Sequence, residues 1–248
     1  MHLRTVVRDC LFVNWALPVE RLPALPEALR YELHPVGRQR TAFVSAVLFR
    51  QTQLRLQALP WVRLSHSQLN VRFYVVDAEA VPSVFLGTMI VPGWIVPLAQ
   101  AAGQAGLRQG RLEFPRPSRD TGAESWTWKA RADGRLRLRA RLSAAAAGTG
   151  PELGSWQRTC DYFRRRDRGY TMVAGRLQRM ETSHSVTTLW PTEVEVGDDG
   201  LLKRLLRSSP EQPWPEVHSS WICPETPLEF ELCGSGGDGL PRGVPAPG

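Results

Sequence analysis

The sequence predicts a mainly β (α+β) fold, in which a single curved, barrel-like antiparallel or mixed sheet of about ten strands carries a few outer helices. Three observations predict it. Segments in which polar and apolar side chains alternate recur along the chain, and turns containing Gly or Pro separate them. Few segments have the length and the flanking residues that are typical of a helix. With 248 residues, 42% of them hydrophobic, the chain can bury a core of that size.

The amino-terminal half is predicted to consist mostly of strands. A first strand includes Trp15, and the prolines at 18, 23 and 26 then allow only a short helix followed by a loop. The next strand is long, because alternation persists over it with Phe43 and Phe49 on one face. The predicted strands of this half cover residues 9–16, 31–33, 41–55, 68–76 and 84–91.

The carboxy-terminal half combines two predicted helices with further strands. Pro92 opens a helix over 92–105, and a Gly-rich linker at 148–151 precedes a helix over 152–165. Asp133-Gly134 is a strong hairpin signal. The predicted strands cover 107–114, 124–132, 136–142, 169–178, 181–189 and 227–232. We therefore predict one domain over residues 1–233 and a disordered, Gly/Pro-rich tail over 234–248.

The net positive charge of the chain does not by itself indicate a nucleic-acid partner. The formal net charge is +7, and 29 of the 31 basic residues are arginines, since lysine occurs only at Lys129 and Lys203. The arginines are scattered, which is typical of codon bias in a GC-rich bacterial genome and argues against a nucleic-acid partner. No apolar run is long enough to span a membrane, and charges interrupt the start where a signal peptide needs apolar residues. We expect a cytoplasmic protein; the sequence leaves homo-oligomerisation open.

The cysteines do not predict a metal site. Cys10, Cys160, Cys223 and Cys233 share no close spacing, and no Cys-x-x-Cys pair occurs. In a reducing cytosol they are most simply small buried apolar residues. The sequence also lacks a Gly-rich phosphate loop, a Gly-x-Ser-x-Gly elbow and a His-Glu-x-x-His motif, so no cofactor and no metal are expected.

One predicted strand carries an unusual polar row. Gln68, Asn70, Arg72 and Tyr74 alternate with apolar residues and therefore share one face of the strand. A purely structural strand seldom needs four large polar groups in one row. The guanidinium of Arg72 suits bidentate capture of a carboxylate, and inside a barrel it needs a partner.

Two partners for Arg72 stay open at this point. A bound anion would make the polar row a binding site. An internal acid, for which Asp77, Glu79 and Glu181 are the candidates, would instead make the row a satisfied structural feature.

Candidates for catalysis are fewer. His184 lies on a predicted strand without an identifiable acidic partner, so it is either a structural residue or an acid–base group that acts with Tyr74. Lys129 alternates with Trp126 and Trp128 and is predicted to face solvent, as is Lys203. Neither lysine is a strong candidate for a nucleophile.

The order of these elements resembles the uncharacterised YqjF-like family, a branch of the acetoacetate decarboxylase-like superfamily, from about residue 9 to 232. The resemblance rests on the strand ending in Trp15, the proline-rich stretch 18–29, the strand 42–47, the block 70–75, Tyr170 and the segment 184–191. The family often has Glu at the position of Gln68, and that possible acid is absent here.

The resemblance implies a curved, barrel-like sheet around a buried pocket. Superfamily enzymes that decarboxylate β-keto acids use a lysine near residues 89–94, where this chain has none. The resemblance therefore implies a pocket that binds a small carboxylate or keto-acid-like molecule without Schiff-base chemistry. Gln68, Asn70, Arg72 and Tyr74 would line one wall, with Trp94 and His184 opposite. The alternatives are a lyase- or hydrolase-type enzyme that uses His184 and Tyr74, and a structural or assembly protein.

Overall fold

The computed structural model describes residues 2–36, 39–57, 59–101, 106–117, 125–143, 153–184 and 188–233. Within these ranges the chain forms fourteen strands and three short α-helices, with one 3-10 turn at Val19–Arg21. The strands are β1 (His2–Pro18), β2 (Leu29–Tyr31), β3 (Leu33–Val36), β4 (Gln39–Leu56), β5 (Leu59–Asp77), β6 (Pro82–Val91), β7 (Leu107–Gln109), β8 (Arg111–Glu113), β9 (Trp126–Arg131), β10 (Arg135–Leu142), β11 (Arg168–Val173), β12 (Arg176–His184), β13 (Trp190–Asp198) and β14 (Ser219–Leu232). The helices are α1 (Ile95–Ala101), α2 (Trp156–Arg164) and α3 (Gly200–Leu205).

Seven strands pair into a ring. The order is β1–β4–β5–β6–β11–β12–β14, and β14 returns to β1 through a long antiparallel ladder that includes Leu3↔Phe230 and Phe12↔Trp221. Every pairing around the ring is antiparallel except β6 with β11. The mainly β, curved and mixed sheet that the sequence predicts is therefore confirmed.

A second layer packs on the outside of the ring. Strands β13, β10, β9 and β8 continue the sheet beyond β14, and α3 lies against β10. The largest apolar cluster combines residues of β1, β4 and β5 with residues of β9, β10 and α3. Its fully buried members include Trp15, Leu69, Trp128, Leu138 and Leu202. Burial of these side chains stabilises the fold by roughly 1.5 to 3 kcal/mol each for the aliphatic ones.

Three smaller apolar clusters follow one another along the opposite face of β1, β4 and β5, which is the inside of the ring. The last of them is aromatic and contains Phe43, Tyr74, Phe163 and Trp221. Phe163 comes from α2, so this helix closes one end of the ring. Both helices expected near residues 92–105 and 152–165 are present as α1 and α2.

The structure differs from the predicted elements in several places. Strands β1, β5 and β14 begin earlier than predicted, and the predicted strand 107–114 is divided into β7 and β8. A two-residue turn at Ala174 and Gly175 divides the predicted strand 169–178 into β11 and β12. Both residues have positive φ, 49° and 76°, as a type I′ hairpin turn requires, but the usual Asn or Asp signal is missing. Strand β13 and helix α3 were not predicted. The tail 234–248 lies outside the described residues.

Candidate ligand-binding site

Strand β5 carries the polar row on the inside of the ring. Its apolar residues Leu69, Val71, Phe73 and Val75 face the core between the two layers, since all four belong to that cluster. Side chains alternate along a strand, so the residues at 66, 68, 70, 72 and 74 point to the opposite face. The sequence thus places a continuous polar row against the ring interior.

A cavity of about 400 Å³ lies along this row. This volume is within the range of small-molecule sites, which are roughly 300 to 1,000 Å³. Most of its wall is aliphatic or aromatic. The polar residues of the wall are Gln51, His66, Gln68, Asn70, Arg72 and Thr182. The apolar residues are Leu3, Phe49, Leu54, Val62, Leu64, Leu86, Met89, Ile95, Leu98, Ala99, Leu107, Met180, Leu228, Phe230 and Leu232.

Two other depressions are less suited to a ligand. One of about 560 Å³ lies between the loop before β2 and the end of β5, where Leu25 and Val76 contribute to it. One of about 360 Å³ lies beside β13, where Thr192 and Val217 contribute. Both are more open to solvent, and neither contains a member of the polar row, so we take the ring cavity as the candidate site.

The polar row is connected by hydrogen bonds. The Nε2 atom of His66 lies 3.2 Å from Oε1 of Gln68, and Nε2 of Gln68 donates to Oδ1 of Asn70 at 2.7 Å. Burial lowers the pKa of His66 despite this hydrogen bond. The imidazole of His66 is therefore neutral at pH 7 and donates from Nε2 to Gln68. The Nδ2 group of Asn70 then has no acceptor among the described residues and is free to donate to a ligand.

Arg72 is the cation of the cavity. Its Cζ lies 5.3 Å from the centre of the Phe12 ring. Its Nε is shielded from solvent and has no hydrogen-bond partner, and no carboxylate within the described ranges lies within 4.0 Å of its guanidinium. Burial lowers the pKa of Arg72, but an arginine keeps its charge in proteins. The charge is therefore not neutralised by a described side chain.

The titratable groups that act on Arg72 are neutral. They are Tyr74 and Cys10. Burial raises the pKa of the Tyr74 hydroxyl and of the Cys10 thiol, and the positive charge of Arg72 does not reverse either shift. Both groups are protonated at pH 7, so neither supplies a negative charge to the guanidinium.

The three acids that could have paired with Arg72 have other partners. Asp77 Oδ2 accepts from Arg168 Nη1 at 2.7 Å and from the Tyr170 hydroxyl at 2.8 Å. Glu79 accepts from the same Arg168 nitrogen at 2.8 Å, and Glu181 pairs with Arg179. Burial alone would raise the pKa of Asp77, but the hydrogen bonds that its carboxylate accepts outweigh burial and lower the pKa to about 2. These acids form a separate network at the end of β5.

Tyr74 does not line the cavity, although it was predicted to. Its ring is fully buried in the aromatic cluster beneath α2, with the Phe163 centroid 4.9 Å away. Its hydroxyl lies 2.8 Å from Oγ of Ser45, which donates to Oδ1 of Asn14 at 2.5 Å. Tyr74 shares the strand face of Arg72, but the cavity ends before it because aromatic rings fill the ring interior there.

Trp94 and His184 are predicted for the opposite wall, and the structure describes the side chain of Trp94 only. Trp94 follows β6 just before α1, is 51% exposed, and its ring centroid lies 6.4 Å from that of His66. It therefore stands beside the cavity mouth. The backbone of His184 pairs with Leu228, which lines the cavity, while the His184 side chain lies outside the described part of the chain.

Both lysines lie away from the cavity. Nζ of Lys129 is 3.4 Å from Glu113 on the second layer, and this lysine side chain is 56% exposed. Nζ of Lys203 contacts Asp199 at 3.1 Å and the carbonyl of Pro210 at 2.9 Å. In the segment 89–94, Met89 lines the cavity wall.

Sequence reasoning did not select three polar residues of the wall. His66 continues the two-residue period of the row and could have been found from that alternation. Gln51 and Thr182 reach the cavity from β4 and β12, and only the pairing of these strands around the ring brings them there. Among the described residues, no group of His, Cys, Asp and Glu could hold a metal ion, and no helix is long and apolar enough to cross a membrane.

The comparisons with known proteins identify a family without an assigned activity. The model of DUF2071, an uncharacterized conserved protein (COG2071), matches residues 4–222. No curated protein matches the chain at a significant level.

Solved structures share the architecture at low identity. An acetoacetate decarboxylase-like enzyme from Sphingomonas wittichii RW1 is 15% identical, with a TM-score of 0.57 over 93% of this chain and 90% of that one. The enduracididine biosynthesis enzyme MppR, complexed with the condensation product of pyruvate and imidazole 4-carboxaldehyde, is 13% identical, with a TM-score of 0.60 over 94% and 87%. MppR complexed with pyruvate is 14% identical, with a TM-score of 0.55 over 93% of this chain and 87% of that one. At these identities the likeness shows the fold alone, and it confirms the predicted acetoacetate decarboxylase-like architecture.

Proposed function

The chain belongs to the DUF2071 family, as its YqjF-like sequence features predicted, and we propose that its ring cavity binds a small organic carboxylate in the cytoplasm. Arg72 binds the carboxylate, and Asn70 and Gln68 line the cavity beside it. The protein holds this ligand without forming a Schiff base.

The observation that carries the proposal is the charge of Arg72 in a mostly apolar cavity. The Arg72 side chain is half-buried, its Nε is shielded from solvent, and no described carboxylate offsets its charge, so the empty site is less stable than a paired one. A ligand carboxylate would offset this charge and could form two parallel N–H···O bonds with the guanidinium.

The side-chain amides of Gln68 and Asn70 in the polar row support a ligand with a further oxygen atom near its carboxylate. The hydrogen bonds from His66 through Gln68 to Asn70 run in one direction and end on a free Nδ2 group, which is a donor. A keto or hydroxyl oxygen at the carbon next to the carboxylate could accept from it. MppR, a neighbour in fold, is complexed with pyruvate, a 2-keto acid, which supports this class of ligand.

The positions of the lysines support binding without covalent chemistry. A Schiff base needs an amine at the reacting carbonyl. Lys129 and Lys203 both face away from the ring interior. Each contacts a carboxylate outside the cavity, Glu113 and Asp199 respectively. An acid–base role for Tyr74 gains no support either, because its hydroxyl is held by Ser45 beyond the end of the cavity.

Calorimetric titration of pyruvate and hexanoate tests this proposal. We expect the wild type to bind at least one of the two, and Arg72→Ala to bind it at least about 30-fold more weakly, because loss of one partner of a buried charge pair costs about 2 kcal/mol or more. Arg111→Ala is the matched control, since it removes an arginine whose side chain is 80% exposed on β8. Equal affinities for the wild type and Arg72→Ala would contradict the assigned role of Arg72.

A further inference from the structure

We infer that the ligand of the ring cavity is an amphipathic monocarboxylate with an unbranched apolar tail, of about eight to ten carbons in all. The inference rests on the proposed function and specifies its ligand. The carboxylate lies at Arg72, and the tail runs along the aliphatic wall toward the mouth. The composition, volume, rim and charge of the cavity each support this class.

The wall of the cavity has a polar side and an apolar side. The polar residues cluster on β4 and β5, with Thr182 added from β12, whereas β1, β6, β7, β14 and α1 supply only apolar side chains. Leu3, Leu86, Met89, Met180 and Leu232 form one continuous apolar cluster there. A short hydrophilic acid would leave this wall in contact with trapped water, which is unfavourable for apolar surface. An alkyl chain would cover it.

The volume sets the length of the tail. A small heavy-atom group such as a water molecule occupies about 30 Å³ in the liquid, and a methylene is similar in size. The cavity of about 400 Å³ therefore has room for about 13 such groups when it is filled completely. A carboxylate with a chain of eight to ten carbons in total uses about 10 to 12 of them.

The rim of the cavity is apolar as well as exposed. Val62 and Leu98 line the cavity, yet they are 44% and 48% exposed, and Trp94 beside His66 is 51% exposed. These three are among the five large apolar residues that are exposed within the described ranges. Clustered exposed apolar residues mark interaction sites. A tail that reaches the mouth would contact all three.

The closed inner end of the cavity gives the orientation of the ligand. Val62 near the mouth is exposed, Gln68 and Asn70 are buried, Arg72 is half-buried, and β5 then enters the aromatic cluster around Tyr74. Arg72 is the last wall residue before that seal. The charged head therefore lies at the inner end and the tail points outward.

The charge of the wall selects one carboxylate and no amine. Among the described wall residues, Arg72 is the single formal charge, because the wall contains no Asp, Glu or Lys and burial keeps His66 neutral. A second carboxylate would be buried without a cation, and an ammonium group would lack an acidic partner. Dicarboxylates and free amino acids are therefore disfavoured.

A chain-length series tests the inference. We expect the affinity for acetate, butanoate, hexanoate, octanoate and decanoate to rise about fourfold per methylene, the equivalent of about 0.8 kcal/mol, and to level off near ten carbons. Succinate and octan-1-ol, which lack the tail or the charge, should bind at least tenfold more weakly than octanoate. Arg72→Ala should weaken all acids by one common factor. Ala99→Phe, which fills the outer part of the cavity, should weaken only octanoate and decanoate.

The outcomes distinguish the two proposals. Affinities that depend on Arg72 but are equal for butanoate and octanoate, or higher for acetate, overturn the apolar tail and leave the carboxylate site in place. Absence of binding for every acid overturns both. A rise with chain length that persists unchanged in Ala99→Phe places the tail outside the ring cavity and also overturns the inference.

Discussion

Arg72 differs from Arg166 and Asp77 in having no hydrogen-bond or ion-pair partner among the described residues. Arg166, which is 8% exposed, pairs with Glu32 at 2.9 Å and stacks on Tyr162 with its Cζ 4.3 Å from the ring centroid. Asp77 is held by Arg168 and Tyr170. The Arg72 guanidinium lies over the Phe12 ring, with Cζ 5.3 Å from its centroid. A residue that costs stability in the empty protein needs a reason outside the fold, and ligand binding supplies one.

The first prediction concerns the empty protein. Arg72→Met should raise the free energy of unfolding by about 1 to 4 kcal/mol, because a flexible apolar side chain replaces an uncompensated charge. Arg111→Met, at an exposed site, should change it by less than about 0.5 kcal/mol. Urea unfolding at pH 7 without added anions measures both. A clear loss of stability in Arg72→Met would show that Arg72 has a structural partner.

The second prediction concerns the pH dependence of Asp77. The pKa of this carboxyl is about 2 in the folded protein and about 3.9 when unfolded, so its contribution of about 2 to 3 kcal/mol is complete above about pH 5. Because the folded pKa is lowered, that contribution is lost as the pH falls from about 5 to about 1. Asp77→Asn should therefore be less stable than wild type at pH 7 by about 2 to 3 kcal/mol, with a difference that shrinks below about pH 5. A difference that stays constant across this range contradicts the assignment.

The polar row could be predicted from sequence because a strand has a strict two-residue period. The partners of its members could not. The pairing of Asp77 with Arg168 crosses 91 positions of sequence and depends on the register of β11 against β6. Tyr74 fits the period of the row as well as Arg72 does, and only the aromatic packing under α2 separates it from the cavity.

Helix α2 forms the seal at the inner end of the ring. Ser155 caps it by accepting a hydrogen bond from the backbone N–H of Arg158 at 3.2 Å, with extended backbone angles. The buried face carries Thr159, Cys160 and Phe163 toward the ring. Without this acceptor the first turn of α2 would be less stable, and the contact of Phe163 with the aromatic cluster would loosen. The cap therefore contributes to the closed inner end.

The third prediction follows from this cap. Ser155→Ala should destabilise the protein by about 1 kcal/mol, whereas Ser155→Asp should preserve its stability, because Asp also accepts from the first-turn amides and interacts favourably with the helix dipole. Thermal unfolding of the three proteins measures the effect. Equal destabilisation by Ala and Asp would show that Ser155 acts by packing and not as a cap.

Elements with clear start and stop signals were predicted well, and those that depend on unusual backbone were not. The prolines and glycines around α1 and α2 gave approximate bounds for both helices. The turn at 174–175 has a positive φ of 49° at Ala174, a residue that rarely adopts it, so the sequence lacked the Asn or Asp that usually precedes Gly in such a turn. The missed strand β13 is held mainly by its six paired positions with β10, a contact that local sequence does not encode.

On the scale of the molecule, the central strands of the ring are the most buried part of the fold. Residues 42–48 of β4 and 69–71 of β5 are fully buried, and each of these strands pairs on both sides. Strands β7 and β8 are three residues long and half exposed. The ring should therefore unfold last and the short strands should open first.

The fourth prediction is a pattern of hydrogen exchange. Amides of 42–48 and 69–71 should exchange only through global unfolding, at least about 100-fold more slowly than those of 107–113. Mass spectrometry of peptides from the exchanged protein gives these rates, and addition of octanoate should slow exchange further in the cavity strands. Similar rates for both regions would contradict a stable ring centre flanked by looser short strands.

The overall architecture was predictable because alternation, turns and the resemblance to a known fold all pointed to one curved sheet. The closure of the ring was not, because the pairing of β1 with β14 joins residues more than two hundred positions apart, such as Leu3 and Phe230. That closure creates the cavity and sets which polar residues face it.

A crystal structure of the protein with octanoate tests the central claim most directly. We predict the carboxylate oxygens at about 2.7 to 2.9 Å from the guanidinium nitrogens of Arg72, with the alkyl chain along Leu86 and Met89 toward Leu98. A cavity that stays empty at saturating octanoate, with the Arg72 guanidinium hydrogen-bonded to a carboxylate of its own chain, would contradict the account.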